Sequence, residues 1–487
     1  MKTQAILYST AVAVALAAGS VHAADTAQQF GPNPNLPEPQ RGLLPNMTIP
    51  EPAPWGDEKP TVPDGHTITA IATDLKVPRQ TIVLPNGDIL VAEGKGGGKA
   101  PKKRPKDFIA GIIKSKGTTS VDSGDRLTLL RDADGDGTYE KQTVFARNLN
   151  APYGLALVGN DLYVANQDAL VRFDYEEGQL EASGAPELIT SLPAEINHHW
   201  TKAMTASADG EHLYVGIGSN SNITERGMEA EVDRAEIWEI DRETGAHRAY
   251  ATGLRNPTDL AIQPDSNQLW AVVNERDELG PNLVPDYLTT VQEGGFYGWP
   301  YSYWGQHVDT RVKPENPDKV KAAIAPDYSL GSHHAPLGVD FSNAQVGGEF
   351  ANGVFVGEHG SWNRGDPVGY RVVFIPFEDG QPAGDPVDFV SGFLTEDNKT
   401  RGRPVGVTVT PDGAVLVADD LTNAIWRVTR DDANTQAGDG SDSVSGSEQA
   451  DSEQADSEQT DSEPASSDQS DSSEPSDARA DEANSSS

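Results

Sequence analysis

The chain has 487 residues and a formal net charge of −38, because 75 aspartates and glutamates outnumber 37 lysines and arginines. A chain this acidic argues against nucleic acid as a partner. The absence of cysteine excludes disulfides, thiolate metal sites and a covalently attached c-type haem, so the fold must be held by its own core.

The first residues have the features of a secretory signal. An early lysine precedes an apolar run from Ala11 to Ala18, and a small-x-small ending predicts cleavage after Ala23. The run is too short to span a bilayer, and no later segment reaches the roughly 20 apolar residues that a membrane helix needs. We therefore expect residues 1–23 to be a signal peptide and the mature protein to be soluble and periplasmic or secreted. Residues 24–63 form a proline-rich lead-in.

Six copies of one pattern follow, each with two strand-like apolar runs joined by a turn rich in Asn, Asp and Gly. They are TIVLPNGDILVAEG from Thr81, GLALVGNDLYVANQ from Gly154, AMTASADGEHLYVGIG from Ala203, DLAIQPDSNQLWAVVN from Asp259, GVDFSNAQVGGEFANGVFVGEHG from Gly338 and GVTVTPDGAVLVADD from Gly406. Repeated hairpins, several followed by a third strand such as AEIWEID, are typical of propeller blades around a central channel. The sequence thus predicts an all-β fold, a six-bladed β-propeller over residues 64–430.

The strand-like segment HTITAIATDL lies before the first hairpin. We expect it to complete the blade formed by residues 404–430, because such pairing closes the ring and removes exposed sheet edges. Helical periodicity is nearly absent from this part of the chain.

The segment DADGDGTYE, from Asp132 to Glu140, begins like the calcium loop of an EF-hand. Its twelfth position is Thr143 rather than the glutamate that closes such a loop, and two strand-like runs flank it. A plain hairpin turn is the favoured interpretation and a calcium site the alternative. The basic run from Lys95 to Lys106 is expected to be a mobile surface loop.

Residues 431–487 contain 17 acidic residues and one basic residue, Arg479. Such a segment, without aromatic residues, cannot bury enough surface to offset its ordering entropy, so we predict a disordered acidic tail. The tail contributes −16 of the −38, which leaves −22 for the rest of the chain. This remaining charge fits either solubility or adaptation to a salty medium.

The residues just before the hairpins should crowd one mouth of the channel, and they are rich in cationic and histidine side chains. They include NHHWTK before the third hairpin, GLRNPT before the fourth, LGSHHAP before the fifth and KTRGRPV before the sixth. A cationic pocket in an acidic protein suggests an anionic ligand, and arginine pairs suit carboxylates. The alternative is that these side chains pair with acidic neighbours across blades.

Several runs together resemble the L-sorbosone dehydrogenase family, which is related to the soluble glucose and aldose sugar dehydrogenases that depend on pyrroloquinoline quinone (PQQ). These runs are NHHWTKAM, VGIGSNSN, GLRNPTDLA, NERDELGPNLVPDYLT, GGFYGWPYSY, GEHGSWNR, RGRPVGV and LVADDLTNAIWRVT. The similarity spans roughly residues 64–430. It implies a PQQ-dependent dehydrogenase that oxidises an aldose or a sugar aldehyde by hydride transfer and passes the electrons to a separate acceptor.

The resemblance also implies roles for individual residues. His199 matches the general base, and Arg255 matches a residue that stabilises charge on the quinone. The implied cofactor-binding residues are Arg255, Asn256, His333, Arg364, Arg401 and Arg403, and those on the substrate side are His198 and Tyr153. His198 stands where the glucose enzymes have an aspartate, and His333 where they have a threonine.

Calcium is implied as the second cofactor. The matching positions are Gly280, Pro281, Asp286 and the carbonyl of Tyr297, and oxygen ligands of this kind suit a hard cation. Without the resemblance, the GPNLVPDY segment would be taken as a rigid surface loop.

Two other function classes remain open at this point. A calcium-dependent propeller hydrolase, such as a lactonase, would use the same channel mouth, although paired arginines have little use beside a metal-bound hydroxide. A non-catalytic propeller that presents its face to a protein is the other.

Overall fold

Six antiparallel sheets, four with four strands and two with five, surround a central channel in this computed structural model, which describes residues 29–40, 47–97 and 119–431. The predicted all-β, six-bladed propeller is thereby confirmed. The predicted signal peptide at 1–23, most of the basic run and the acidic tail from residue 432 lie outside the described residues.

The blades take their strands in chain order, with the innermost strand first. Two short strands, β1 (Phe30–Gly31) and β2 (Glu51–Pro52), and the longer β3 (His66–Ala72) precede them. Blade 1 contains β4 (Pro78–Val83), β5 (Ile89–Glu93), β6 (Arg126–Arg131) and β7 (Lys141–Ala146). Blade 2 contains β8 (Gly154–Val158), β9 (Asp161–Ala165), β10 (Ala169–Asp174) and β11 (Glu187–Ser191). Blade 3 contains β12 (Met204–Ala206), β13 (His212–Ile217), β14 (Glu236–Asp241) and β15 (His247–Thr252).

The later blades carry additions to this plan. Blade 4 contains β16 (Pro257–Ile262), β17 (Leu269–Val273) and β18 (Pro285–Thr290), then an insertion with β19 (Ser302–Tyr303), β20 (His307–Val308) and helix α1 (Pro317–Ala322), and finally β21 (Tyr328–Ser332), with β1 outermost. Blade 5 contains β22 (Pro336–Phe341), β23 (Gly353–Glu358), β24 (Arg371–Glu378), the short β25 (Gln381–Pro382) and β26 (Val387–Val390). Blade 6 follows β27 (Lys399–Thr400) and contains β28 (Pro404–Val409), β29 (Val415–Asp419), β30 (Ala424–Arg430) and β3.

Three of the predicted hairpins have the same turn geometry. In blade 1, Leu84 N–H donates to Asp88 O, and Gly87 N–H donates back to Leu84 O, with Gly87 at a φ of 84°. Gly210 and Gly413 occupy the same position in blades 3 and 6, at φ values of 71° and 85°. Only glycine adopts this left-handed conformation freely, which is why the turns end in Gly.

The ring closes through β3. This strand pairs antiparallel with β30, with Ile68 opposite Val428, so the predicted completion of the last blade is confirmed. The innermost strands of neighbouring blades also touch all round the channel, including β28 against β4. At that closing seam the hydroxyls of Thr81 and Thr408 lie 2.7 Å apart.

The apolar core of the described residues is divided into six clusters, one at each interface between blades. Blades 4 and 5, for example, enclose Trp270, Tyr328 and Val354, each fully buried. Each sheet therefore buries both faces against its neighbours, as the uninterrupted apolar strands predict. No helix among the described residues is long and apolar enough to cross a bilayer.

Loss of packing at the closing strand should destabilise the protein. Ile68 is 5% exposed between blades 5 and 6, so Ile68→Ala should lower the free energy of unfolding by about 2–5 kcal/mol. Thr69→Ala on the exposed side of the same strand is the control and should change it by less than about 0.5 kcal/mol. Urea denaturation followed by circular dichroism measures both. Equal effects would contradict the role of β3 in closing the ring.

Candidate active site

The candidate site is built from loops at one end of the channel. In an antiparallel blade, the segment that leads into the first strand and the loop between the second and third strands lie at the same end. The leading segments carry the site residues His198, His199, Arg255, Asn256, His333, Arg401 and Arg403. The second-to-third-strand loops carry Asp277, Gly280, Pro281, Asn363 and Arg364.

His199 is held in one orientation by the loop after β13. Its Nδ1 lies 2.8 Å from the carbonyl oxygen of Ser219 and 3.0 Å from Ser219 Oγ. Because a carbonyl only accepts, Nδ1 must carry the proton, which leaves the lone pair on Nε2. The ring of His198 packs edge-on against His199 with centroids 4.7 Å apart, and the His198 side chain is exposed at the mouth.

The surroundings of His199 keep its imidazole neutral. Burial of the ring lowers its pKa well below the ordinary value of 6.5, and the positive charge of Arg255 lowers it further. A neutral imidazole with a free Nε2 is the form that accepts a proton. His199 therefore has the protonation state that a proton acceptor needs.

Arg255 and Asn256 lie beside His199. The Arg255 guanidinium is 4% exposed and donates to Asn222 O, Asn222 Oδ1 and Asn274 O at 3.1–3.2 Å. These bonds use three of its five N–H donors. Asn256 Oδ1 is buried without a hydrogen-bond partner among the described residues. A side chain at Gly218 would collide with both Asn256 Oδ1 and His199 Cβ, so this glycine lets the two groups approach each other.

Asp277 connects the fourth and fifth blades at the mouth. Its carboxylate accepts from Asn363 Nδ2 at 2.9 Å and lies 3.5 Å from His333 Nδ1 and 3.9 Å from Arg255 Nη2. Burial alone would lower the pKa of His333, but hydrogen bonding to Asp277 and the Asp277 charge outweigh it and raise the pKa. Sequence reasoning did not select Asp277; its place in the NERDELGPNLVPDYLT run, which also carries Gly280, Pro281 and Asp286, was the available signal.

The predicted calcium ligands already have partners. Gly280 O lies 3.0 Å from His333 Nε2, and Pro281 O accepts from Arg364 Nη1 at 2.8 Å. Both carboxylate oxygens of Asp286 accept backbone N–H groups at 2.8 Å, from Glu275 and Ala335, and burial raises the pKa of Asp286 to about 6.

The last predicted ligand is the carbonyl of Tyr297, a residue that is almost fully buried at 1% exposure. It belongs to the apolar core between blades 3 and 4, and its hydroxyl donates to Thr290 O.

Arg401 and Arg403 have different partners. Arg401 forms an ion pair with Glu58 of the lead-in and lies over the ring of Trp55 at 5.7 Å. Arg403 instead contacts the backbone carbonyls of His359 and Gly360, at 3.3 and 3.5 Å, and the ring of Tyr370. The predicted pair is thus split, with Arg403 against the fifth-blade loops and Arg401 against the lead-in.

Tyr153 packs against residues of other blades. The side chain is fully buried, its hydroxyl donates to Leu337 O of blade 5 at 3.0 Å, and its ring meets the edge of Trp200. Since Tyr153 leads into blade 2, this hydrogen bond joins opposite blades across the channel. Tyr153 thus makes a structural contact in this structure, and its substrate role stays a prediction. His334 likewise turns to Glu358, 2.8 Å away.

Arg234 is a further residue that sequence reasoning missed. Its guanidinium donates to the carbonyls of Gly218 at 2.6 Å, Pro193 at 2.7 Å and His199 at 2.9 Å. It thereby joins the loop that carries His199 to the strand end that leads to Ser219. Burial lowers the pKa of Arg234 to about 10, so the group stays charged at neutral pH.

Three of the buried arginines around the mouth share one feature. Arg234, Arg255 and Arg364 donate mainly to backbone carbonyl oxygens. Arg79 and Arg276, which are also buried at this end of the blades, instead pair with the carboxylates of Asp420 and Asp309. Carbonyl oxygens satisfy the N–H donors without cancelling the charge, so these three guanidinium groups can still attract an anionic ligand.

The DADGDGTYE segment lies at the other end of the blades. It connects β6 to β7 as a hairpin turn, and it is where the described residues bring together a potential metal-binding group, namely Asp132, Asp134, Asp136 and Glu140. Both interpretations of this segment, as a turn and as a calcium loop, agree with that placement.

Comparison with known sequences identifies relatives. The profile of a family described as TrAA12-like matches residues 60–293 and 305–431. The chain is 28% identical over 295 residues to an uncharacterized protein of Borreliella burgdorferi, covering 58% of this chain and 76% of that protein. It is 22% identical over 397 residues to the pyrroloquinoline quinone-dependent pyranose dehydrogenase of Coprinopsis cinerea, covering 67% and 54%. The chain thus spans about half the length of that dehydrogenase.

Solved structures share the fold. The iodide structure of Trichoderma reesei Carbohydrate-Active Enzymes Family AA12 superposes with a TM-score of 0.61 at 18% identity, covering 79% of this chain and 99% of that one. The holo form of the PQQ domain of pyranose dehydrogenase from Coprinopsis cinerea gives a TM-score of 0.60 at 18% identity, covering 80% and 100%.

The neutral state of His199 can be measured directly. In histidine-labelled protein, nuclear magnetic resonance should show one imidazole that keeps its proton on Nδ1 and titrates below pH 6.5, because burial and Arg255 disfavour the charged form. Loss of that signal in His199→Gln assigns it. Ser219→Ala should retain the tautomer, since the carbonyl at 2.8 Å remains. Titration of this ring at or above pH 6.5 would contradict the assignment.

Proposed function

Because the chain belongs to the TrAA12-like family, we propose that it is a PQQ-dependent dehydrogenase that oxidises an aldose sugar or a sugar aldehyde of the sorbosone type. The pyranose dehydrogenase named among its relatives supports the cofactor and the substrate class. One observation carries the proposal. The neutral imidazole of His199 lies at the same channel mouth as the buried guanidinium groups of Arg255 and Arg364, which donate hydrogen bonds to backbone carbonyl oxygens.

The described residues suit an anionic quinone. Arg255 keeps two N–H donors for a ligand, and the unpartnered Asn256 Oδ1 faces the same region as His199. We propose that Arg255, Asn256 and Arg403 hold PQQ, with His333 and Arg364 at the neighbouring blade. When bound, PQQ supplies the acceptor for a hydride from the substrate carbon.

His199 is the proposed general base. Its Nε2 accepts the proton of the substrate hydroxyl, while the Ser219 carbonyl accepts the Nδ1 hydrogen bond and stabilises the imidazolium that forms. The exposed His198 is placed to contact the substrate from the solvent side. Arg234 fixes the backbone of His199, so the ring need not reorganise during the reaction.

The geometry favours a dehydrogenase over a calcium-dependent hydrolase. Among the residues that the structure describes, the carboxylate group able to hold a metal lies in the β6–β7 turn, at the end of the blades away from His199. A hydrolase would need such a group at the mouth. Export and transfer of electrons to a separate acceptor remain predictions.

Removal of the base should separate binding from turnover. In the purified protein, His199→Ala should keep its affinity for PQQ but lose roughly 10²–10⁴-fold in turnover of aldoses with an artificial electron acceptor. The control is His247→Ala, an exposed ring stacked on Trp238 of blade 3, which should leave both quantities unchanged. Full turnover in the His199 variant would refute the base.

The two sixth-blade arginines should differ in their effect on cofactor binding. Arg403→Ala should weaken PQQ binding by about tenfold or more, the value of a lost charge-assisted hydrogen bond. Arg401→Ala should have a smaller effect, because Glu58 already pairs with that guanidinium. Titration of the apoprotein with PQQ, followed by tryptophan fluorescence, measures both affinities. A larger loss in the Arg401 variant would reverse the assignment.

A further inference from the structure

We propose that Arg364 and His333, rather than a calcium ion, bind the carbonyl oxygens of Gly280 and Pro281. The side chains around these two carbonyls, which we call this corner of the mouth, then donate hydrogen bonds directly to oxygen atoms of the anionic cofactor. The inference rests on the proposed PQQ-dependent function and concerns how that cofactor is held.

The two carbonyls are engaged by side chains from different loops. His333 Nε2 lies 3.0 Å from Gly280 O, and the ring is 6% exposed. Arg364 Nη1 donates to Pro281 O at 2.8 Å and to Ser332 O at 3.3 Å, and its side chain is 8% exposed. Both donors are therefore buried parts of the structure rather than surface groups resting on the loop.

A calcium ion on the same oxygens would meet like charge. Calcium binds oxygen at about 2.4 Å, so an ion on Pro281 O would lie within roughly 5 Å of the Arg364 nitrogen that donates to this oxygen. Two cations at that distance in a buried site repel strongly. Calcium could enter only if Arg364 left its position.

The remaining predicted ligands do not offset this conflict. Asp286 has both oxygens committed to backbone N–H groups. The side chain of Tyr297 lies in the apolar core between blades 3 and 4, whereas Arg364 belongs to a loop of blade 5. Calcium needs six to eight oxygen ligands, and these positions do not supply them.

Two unpartnered polar groups point to an acceptor ligand instead. Within the described residues, Arg364 Nε and Ser332 Oγ are buried without hydrogen-bond partners. Ser332 is 1% exposed and also provides the second carbonyl for Arg364. Buried donors are seldom left unpaired, so a carboxylate or quinone oxygen is the kind of group that completes this corner.

The test is PQQ binding to the full-length apoprotein with and without calcium. Tryptophan fluorescence titrations would be run in excess EDTA and in excess calcium for wild type and Arg364→Met. Wild type should bind PQQ with the same affinity in both media, and Arg364→Met should bind at least about tenfold more weakly in both. Arg248→Met, on the exposed side of blade 3, is the control and should match wild type.

The outcomes separate this inference from the proposed function. PQQ binding by wild type only in calcium would overturn the inference and leave the proposed function intact. Wild-type affinity in the Arg364→Met variant in EDTA would also overturn it, provided that thermal unfolding shows the variant to be folded. Failure of wild type to bind PQQ in either medium would refute the proposed function and this inference with it.

Discussion

The choice of hydrogen-bond acceptor for the buried arginines determines what the channel mouth can bind. At the other end of the blades, Arg131 pairs closely with the carboxylate of Asp88, and the pair is nearly neutral. At the mouth, Arg255 and Arg364 donate mainly to carbonyl oxygens, which satisfy their N–H groups but leave the charge in place. Burying an uncompensated cation is costly. An anionic ligand, such as the proposed quinone, would offset that cost on binding.

Such an arrangement requires rigid loops, and the ring supplies them. Each blade is fixed by apolar packing on both faces, so a loop at its end has little freedom to move relative to its neighbours. Polar contacts between inner strands add to this, since Asp259 and Asp340 each accept a backbone N–H of the next blade at 2.8 Å. The carbonyls that face the buried arginines are therefore held at fixed positions.

The sequence predicts the ring well because the blade pattern is local. Alternating strands, Gly-ended turns and the unpaired strand at residues 66–72 are each visible over a few residues, and together they give six blades and their closure. The direction in which each side chain of the mouth points is not determined by neighbouring residues in the sequence. Arg401 pairs with Glu58, more than 300 residues away in the sequence. Tyr153 donates a hydrogen bond to Leu337 of the opposite blade, a contact that its loop position does not reveal. Residue type at a loop position indicates the chemistry available there but not its partner.

The lead-in shows the same dependence on distant partners. In the described part of this segment, Gln40 N–H donates to Leu279 O and Thr48 N–H donates to Arg364 O, while β2 pairs with β27 just before Arg401. These three backbone contacts reach the loops that carry Gly280, Arg364 and Arg401. Backbone hydrogen bonds do not depend on side-chain identity. Such a segment can therefore hold those loops in place as long as its backbone follows the same course over the surface. The proline-rich composition fits this role, since proline limits the conformations that an extended chain loses on docking. The mouth is thus fixed from the inside by the blades and from the outside by the residues that precede them.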